Sequence, residues 1–456
     1  MTIWEGTVLQ EILAFAPVVC LIAYAVLTRQ MAQAMVVAGV LAMAILHGAN
    51  FLSGTIDSLY SVLADSSYQF VLLIMVCFGG MIALLQKSGA LQGFRDSLLR
   101  VAAGPRRSLF LAWCMGLLLF ADEYLNALAV SFSFREITDR HRIPREHLAF
   151  QIQGMACCIC VVVPFSSWTA FIVGLLTEQG MGFEDYLRAL PYMFFPLLMI
   201  LLCLLLALGL FPRVGNLKRA YDRVAGGGPV LSEADQGDAL VDLELKGEER
   251  PSGAINAVLP LVALVAGVLL FDNDMIHGLV LALLTQLVLY VGQRLMSIGE
   301  FLNCFFQGAS SMTTLAIVVC FSFLLSRANR ELGMFELLIQ GARQVMSPEL
   351  LPVVAFGVVG LTTFAMGGCW VVMTVTVPVL IPIAVAVGAS ATLVVSAIMS
   401  GICLGYCLCI YADAVFMTTV GTGLSNTAVI RTMVPYTVGL GVLTAAGYLL
   451  CGVCMA

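Results

Sequence analysis

The sequence predicts an all-α polytopic membrane protein made of two inverted-topology repeats. Of its 456 residues, 61% are hydrophobic and only 11% are charged, whereas a soluble protein carries about 25% charged residues. Apolar runs of roughly 17–25 residues, the length that crosses a hydrocarbon core, recur from end to end, and the mean hydropathy is +1.00. Polar or glycine-rich interruptions also recur at corresponding places in the two halves of the chain.

Charged residues separate the predicted crossings. These are 8–28, 31–50, 67–86, 147–173, 189–211, 255–271, 275–292, 300–326, 390–412 and 433–454. Each repeat then has five spanning helices, one of them interrupted, and one re-entrant hairpin. The N-terminal repeat covers 1–211 and the C-terminal repeat 255–456. The hydrophilic segment between them, 212–254, is interpreted as a flexible cytoplasmic linker.

The first hairpin is predicted from the positions of basic residues. The connections 87–107 and 135–145 are both rich in arginine, so the positive-inside rule places both in the cytoplasm. A single crossing between them would put them on opposite sides of the membrane. The mostly apolar segment between them is therefore predicted to enter the membrane and return as a hairpin over about 108–134.

The stretch "LLLFADEYLNALAV" lies at the middle of this hairpin and contains Asp122, Glu123 and Asn126. An Asp at the centre of a lipid-facing helix costs roughly 2.5–3.5 kcal/mol on insertion scales. Such side chains are tolerated at membrane depth where they line a wet cavity or are buried in protein. Oxygen ligands of this kind suit Na⁺ or a titrating proton. The alternative is a structural cap of the hairpin at the cytoplasmic surface.

The corresponding stretch of the second half is "LTTFAMGGCWVVMTV", within a second predicted hairpin at about 350–385. Gly367 and Gly368 permit a tight turn and close approach of the backbone, and Trp370 is a candidate pocket residue. The alternative is that these glycines serve helix packing alone.

The string "VPFSSWTAF" predicts an interruption in a spanning helix. Pro164 has no N–H and leaves nearby carbonyls without partners, and Ser166, Ser167 and Trp168 follow it. The hydroxyls beside freed carbonyls suggest a site for a cation or a substrate. The alternative is an ordinary proline kink with serines bonded back to the helix.

Asp413, in "CIYADAVFMTTVGTG", is the only acid between Glu349 and the C-terminus. Aligning Gly154 with Gly401 puts it opposite Ser166 of the first half. An isolated carboxylate within the membrane is by default a candidate functional residue. The alternative is an interfacial residue at a helix end.

Other reactive side chains are interpreted as structural. The fifteen cysteines show no paired CxxC with zinc spacing, which favours their use as small apolar residues in helix contacts. Asp139 is expected to pair with neighbouring arginines, and His141 and His147 are expected in a loop. No metal cofactor is therefore expected.

These motifs resemble those of the NhaC-type Na⁺/H⁺ antiporter family of the ion transporter superfamily. In the first half the resemblance lies in "FADEYLNAL", "ITDRHRIPREHLAF" and "VVVPFSSWTAF", and in the second half in "MGGCW" and "IYADAV". It implies two inverted repeats and cation-coupled exchange. It also implies a binding site formed by Asp122, Glu123, Asn126, Ser166, Ser167, Trp168, Trp370 and Asp413, to which Gly367 and Gly368 are added.

The chain departs from the family pattern at three places. The family's Asp-Ser-Thr step is replaced by Gln153-Gly154-Met155, its Gly-Asp-His step by Gly405-Tyr406-Cys407, and of its Ser-Asp-Thr-Thr step only Asp413 remains. Fewer carboxylates leave fewer groups that exchange a proton for Na⁺. A sodium- or proton-coupled carrier of a small organic acid or amino acid is therefore the alternative function.

The expected function is a secondary active transporter, an NhaC-like Na⁺/H⁺ antiporter that works by alternating access. It is expected to be a multi-pass protein of the inner cytoplasmic membrane and not an enzyme, because no catalytic constellation is recognisable. No cofactor is expected beyond Na⁺ or H⁺ as coupling ions. Asp122, Asn126 and Asp413 are the candidate Na⁺ ligands. The expected partners are the lipid bilayer, a small cation, a small organic solute in the alternative function and a second copy of the chain in a homodimer; nucleic acid is not expected.

Overall fold

The computed structural model describes residues 8–28, 31–90, 92–93, 104–121, 123–232, 235, 252–271, 274–334, 337, 346–367, 369–410 and 412–455. The helices of the first half are α1 (Val8–Thr28), α2 (Met31–His47), α3 (Phe51–Leu63), α4 (Ser66–Lys87), α5 (Pro105–Leu118), α6 (Glu123–Arg140), α7 (Arg145–Val162), α8 (Ser167–Thr177), α9 (Phe183–Ala189), α10 (Phe194–Leu208) and α11 (Gly215–Ala225). Those of the second half are α12 (Ile255–Leu270), α13 (Met275–Gly292), α14 (Ile298–Ser311), α15 (Thr313–Glu331), α16 (Leu351–Met366), α17 (Cys369–Val387), α18 (Ala391–Leu408), α19 (Asp413–Thr422) and α20 (Asn426–Met455). Short 3₁₀ turns lie at Gly48–Asn50 and Leu190–Tyr192. The part of the chain that is described contains no β-strand.

Among the described residues, three helical segments are long and apolar enough to cross a membrane: Gln33–Leu63, Ala391–Leu408 and Asn426–Cys454. The count rises to five if two bent pairs each form one span, namely α7 with α8 (44° bend) and Phe183–Tyr192 with α10 (55° bend). Several shorter apolar helices accompany them. The prediction of an all-α, multi-pass membrane protein is confirmed at this level.

The chain reverses direction between α5 and α6. Asn126 Nδ2 of α6 donates to the carbonyl oxygen of Gly116 in α5 at 2.6 Å, although ten residues along one continuous helix would separate them by about 15 Å. At the other end of the pair, Leu109 of α5 packs in one cluster with Ile143, which follows α6. The start of α5 and the end of α6 therefore lie at the same level, and the break that includes 119–121 is the tip of this helical pair.

The interrupted helix α7–α8 crosses the second-half helix α18 in an antiparallel direction. Gln153 lies near Tyr406, at 3.5 Å from Nε2 to the carbonyl oxygen. One turn further along α7, the Sγ atoms of Cys157 and Cys158 lie within 4.8 Å of that of Cys403, which is about one turn earlier in α18. Later α7 residues therefore meet earlier α18 residues. Helix α18 is also followed by a break, at 409–412, before α19 begins.

Helices α16 and α18 approach each other closely through glycine. Helix α18 contains Gly401 and Gly405, four residues apart on one face, and a Cβ on Gly401 would stand 2.7 Å from the carbonyl oxygen of Phe356. A Cβ on Gly405 would overlap the carbonyl oxygen of Gly360. In a bilayer, where lipid tails are as apolar as leucine, such backbone contact is a main source of helix association.

The segment 212–254 is not simply a flexible linker, because its first part forms helix α11. Leu217, Ala220 and Val224 are buried on one face of α11. Because charged residues lie between them, this helical spacing is not obvious from the sequence. Arg223 Nη2 contacts both carboxylate oxygens of Glu146 at the start of α7, at 2.9 and 3.1 Å. The second part of the segment lies outside the described residues.

His147 was predicted to lie in a loop, and that prediction was wrong. It lies in α7, it is fully buried, and its Nδ1 is 2.6 Å from Tyr221 Oη of α11. The helix begins already at Arg145, two residues before it. Asp139 does pair with a neighbouring arginine: its carboxylate accepts from Arg145 Nε and Nη2 at 3.2 and 2.8 Å.

We expect Gly405→Ala to lower the stability of the protein by about 1–3 kcal/mol, the usual cost of overpacking, because its methyl group collides with backbone. Gly357→Ala on α16 is the matched control, since nothing lies within 4 Å of its added Cβ and Ala is the better helix former. The measurement is the thermal unfolding midpoint of the detergent-solubilised protein. Equal midpoints for the two variants would contradict the close packing of α16 on α18.

Candidate functional site

The start of α8 is the point at which several chain breaks meet. The Ser167 N–H donates to the carbonyl oxygen of Ala121, at the tip between α5 and α6, at 3.0 Å. The next residue, Trp168, packs its ring 5.6 Å from that of Trp370, which follows the break between α16 and α17. Trp168 also lies 6.0 Å from Tyr406, which precedes the break between α18 and α19. The four interruptions predicted from the sequence are thus brought together.

Local hydroxyl groups satisfy the backbone freed by Pro164. Ser166 caps α8 by accepting from the Thr169 N–H at 3.1 Å, and it donates to the carbonyl oxygen of Cys160. Thr169 Oγ1 donates to the Val163 carbonyl oxygen at 3.2 Å. The Ser166 hydroxyl is therefore occupied by the helix itself. Ser167 Oγ, by contrast, is buried with no hydrogen-bond partner among the described residues.

Glu123 begins α6 and its side chain is fully buried. Its Oε1 accepts a hydrogen bond from Tyr406 Oη at 3.2 Å. The same hydroxyl accepts from the Ala414 N–H at 3.3 Å, in the first turn of α19. Tyr406 therefore connects a carboxylate of the first half to the N-terminal end of a second-half helix, where backbone N–H groups and the helix dipole favour negative charge.

Asn126 lies one turn after Glu123 and is also fully buried. Its Nδ2 donates to the carbonyl oxygens of Gly116 and Leu119 at 2.6 and 3.2 Å. Because both partners can only accept, the NH₂ group must face them. The Asn126 Oδ1 therefore points away, and it has no donor among the described residues. It is an available oxygen ligand.

Gln153 and Thr418 form a second polar connection between the two halves. Thr418 Oγ1 of α19 donates to Gln153 Oε1 of α7 at 3.1 Å, and both side chains are fully buried. From the sequence, Gln153 and Tyr406 were recognised only as departures from the family pattern and not as candidate site residues. The sequence did contain a signal: Gln153 and Tyr406 are polar residues at two positions where the family pattern has Asp.

Of the remaining predicted residues, two have defined backbone positions. Gly367 ends α16 in the left-handed conformation, at φ 71°, which favours glycine. Asp413 is the first residue of α19, but its side chain is not among those described. Asp122 and Gly368 lie outside the described residues. The arrangement of these three in the site stays a prediction.

A cluster of thiols lies where α7 crosses α18. Sγ atoms of Cys157, Cys158 and Cys403 lie within 4.8 Å of one another, and all three residues are fully buried. Thiolates in such a group would suit a soft metal ion rather than Na⁺. Their surroundings are the apolar core of the bundle, as expected for cysteine used as a small apolar residue.

We expect Ser166→Ala to destabilise the protein by about 1–2 kcal/mol, because it removes the cap of α8 and leaves the Cys160 carbonyl without that donor. Ser167→Ala is the neighbouring control and should leave stability unchanged, since its hydroxyl has no partner among the described residues. Thermal unfolding midpoints in detergent measure both effects. An equal loss in both variants would mean that Ser166 does not cap α8.

The chain is similar to known proteins in both sequence and fold. The sequence profile described as the Na⁺/H⁺ antiporter family matches residues 159–453. An uncharacterised protein of Haemophilus influenzae is 23% identical over 442 residues, which cover 88% of this chain and 82% of that protein. The YdaH transporter of Alcanivorax borkumensis has a similar fold, with a TM-score of 0.59 and 14% identity, over 90% of this chain and 89% of that one.

A further solved structure, Neisseria gonorrhoeae MtrF, described with a class of antimetabolite efflux pumps, matches with a TM-score of 0.47 and 13% identity, over 88% of this chain and 84% of that one. The YdaH likeness supports the fold, and the profile covers more than half of this chain. The protein is therefore a secondary transporter rather than an enzyme. The family resemblance noted in its motifs is confirmed: the chain belongs to the Na⁺/H⁺ antiporter family.

Proposed function

We propose that the protein is an NhaC-like antiporter of the inner cell membrane that exchanges Na⁺ for H⁺ at Glu123. The observation that carries the proposal is the complete burial of the Glu123 carboxylate beside Tyr406 and one turn from Asn126. Asp122 and Asp413 are the further proposed ligands of Na⁺, together with Asn126.

Burial makes the charged carboxylate costly, and that cost falls when a proton or a cation binds. If both ligands use the same carboxylate, only one of them is bound at a time, and this competition is the physical basis of exchange. The Asn126 Oδ1, which has no donor in the described part of the chain, adds the kind of oxygen that hard cations prefer. Tyr406 would hold the carboxylate in place while its ligand changes.

Alternating access is supported by the order of elements in the two halves. Each half has two helices separated by a short break, α5–α6 or α16–α17, followed by two more helices separated by a short break, α7–α8 or α18–α19. Transporters built from inverted repeats place their sites where such broken helices meet. We propose that the repeats are inverted and rock about the contact of Trp168 with Trp370 and Tyr406.

We expect Glu123→Gln to abolish Na⁺-dependent proton movement, because the amide can neither release a proton nor neutralise Na⁺. Glu136→Gln, on the same helix but exposed, is the matched control and should retain exchange. The measurement is the change of internal pH in proteoliposomes when NaCl is added. Normal exchange by a folded Glu123→Gln variant would exclude Glu123 as the exchanging group.

The second candidate function is a sodium- or proton-coupled carrier of a small organic acid or amino acid. The observation that favours it is the aromatic group of Trp168, Trp370 and Tyr406, with Phe171 at 5.0 Å from the Trp370 ring. The Trp168 indole N–H is buried without an acceptor among the described residues. With Ser167 Oγ it offers donors that suit a carboxylate beside an apolar surface.

The two functions differ in what is required for proton or sodium flux. Antiport requires only the two exchanged ions, Na⁺ and H⁺. The carrier also requires an amino or dicarboxylic acid, whose flux a radiolabel would follow. For the carrier we expect Trp370→Phe to reduce solute flux severalfold and Trp113→Phe to leave it unchanged, because the Trp113 indole bonds elsewhere, to the Ile200 carbonyl oxygen. Full proton exchange in the absence of any organic solute would exclude the carrier.

A further inference from the structure

A basic pocket lies at the ends of α5 and α6, away from the central site. It is formed by the start of α5, the turn after α6 and the segment before α11, and its volume is about 490 Å³. Four arginines line it: Arg106, Arg107, Arg142 and Arg213. No ion pair joins any of the four to a carboxylate in the part of the chain that is described. The pocket therefore carries a concentrated positive charge that an anion would neutralise.

Contacts with neighbouring groups orient two of these side chains. The Arg213 guanidinium carbon lies 3.5 Å from the centre of the Tyr221 ring. Arg142 Nη2 donates to the carbonyl oxygen of Gly228 at 3.1 Å. Each guanidinium has five N–H donors, so several remain for a ligand. Planar guanidinium groups bind phosphate through paired hydrogen bonds, which makes a phosphate group a suitable ligand chemically.

The start of α5 adds to this preference. Arg106 and Arg107 lie in its first turn, after Pro105, where backbone N–H groups have no acceptor within the helix. The helix dipole also favours an anion there. The contribution is secondary, since the four arginines alone already define the pocket.

Exposed apolar side chains lie next to the pocket along the chain. Phe110 is one turn after Arg106 and is 38% exposed, and Leu210 and Phe211, just before Arg213, are 70% and 40% exposed. In a multi-pass membrane protein, apolar side chains exposed in this way face lipid acyl chains. The pocket thus lies where the apolar surface meets the charged surface, the level of phospholipid headgroups.

We propose that this pocket binds the phosphate headgroup of an anionic phospholipid, whose acyl chains lie over Phe110, Leu210 and Phe211. The bound lipid would hold α5, the end of α6 and the chain before α11 together. Basic pockets between transmembrane helices are the expected sites for such headgroups. A zwitterionic lipid would bind less well, because its ammonium group meets the same arginines.

Arg142 can be substituted to test this pocket without destabilising the local backbone. Its φ of 52° is left-handed, a conformation that glycine adopts more readily, so Arg142→Gly removes the guanidinium and suits the backbone. Arg294, which follows α13, has a φ of 55° and does not line this pocket. Arg294→Gly is the matched control, with the same loss of charge and the same backbone change.

The experiment uses the purified, delipidated full-length protein in a neutral detergent. Native mass spectrometry follows the binding of palmitoyl-oleoyl phosphatidylglycerol, with palmitoyl-oleoyl phosphatidylcholine as the zwitterionic reference. We expect tight binding of phosphatidylglycerol by the parent protein and by Arg294→Gly. We expect the affinity to fall about fivefold in Arg142→Gly and about 25-fold in the double variant Arg106→Gln/Arg213→Gln, at about fivefold for each arginine.

Three results would overturn the proposal. The first is equal binding of phosphatidylglycerol by Arg142→Gly and Arg294→Gly. The second is equal affinity of the parent for phosphatidylglycerol and phosphatidylcholine. The third is displacement of phosphatidylglycerol by millimolar inorganic phosphate, which would assign the pocket to a soluble phosphate instead of a lipid. If the double variant does not fold, Arg142→Gly alone decides between these results.

Discussion

The structure depends on how broken helices are accommodated inside an apolar bundle. Each break frees backbone N–H and C=O groups, and in a membrane no water is at hand to satisfy them unless a cavity admits it. The chain supplies partners of its own: Ser166 and Thr169 for the break before α8, and Asn126 for the end of α5. Asn426 does the same for the Ile410 carbonyl oxygen at 2.8 Å. Because these partners are local, the breaks can lie in the core.

The same constraint explains why the candidate site is where it is. Helix breaks bring helix ends, and with them unused donors and acceptors, to the middle of the bundle. Glu123 and the first turn of α19 meet there through one hydroxyl, that of Tyr406. A buried carboxylate in this setting is sensitive to any change of its ligand, and a transporter uses such a group to couple ion binding to a change of conformation.

Two kinds of packing hold the halves around this site. Within the second half, α16 and α18 are in backbone contact through glycine, which leaves little room for one to shift against the other. Between the halves the apolar core is continuous: Gly79 of α4 and Gly308 of α14 bring two backbones together, and Trp168 packs against Trp370. Polar contacts such as that of Gln153 with Thr418 add to this packing. Helix α11 adds another connection, since Asn216 bonds to Thr432 of α20 at 2.9 Å. Motion between the halves would therefore have to shift packed apolar side chains as well as break hydrogen bonds.

The sequence alone predicted the fold class and the position of the helix interruptions, and it singled out Glu123, Asn126 and Trp168 as candidate site residues. Each of these follows from local patterns: apolar length, a proline or glycine at a break, and a polar group in an apolar stretch. It left open whether Ser166 bonds back to its own helix or faces a ligand. It did not predict α11, because the charged residues of that helix obscure its apolar spacing.

Only the tertiary structure decided which residues meet. Tyr406 and Glu123 are 283 positions apart, and Thr418 and Gln153 are 265 apart, so no local pattern records these pairs. The antiparallel crossing of α7 and α18 sets them together, and the close approach of glycine backbones holds α18 in place for it. The basic pocket has the same origin, since its arginines come from three separate segments. The reversal between α5 and α6 brings Arg106 and Arg142 to one level, and Arg213 joins them from the chain before α11.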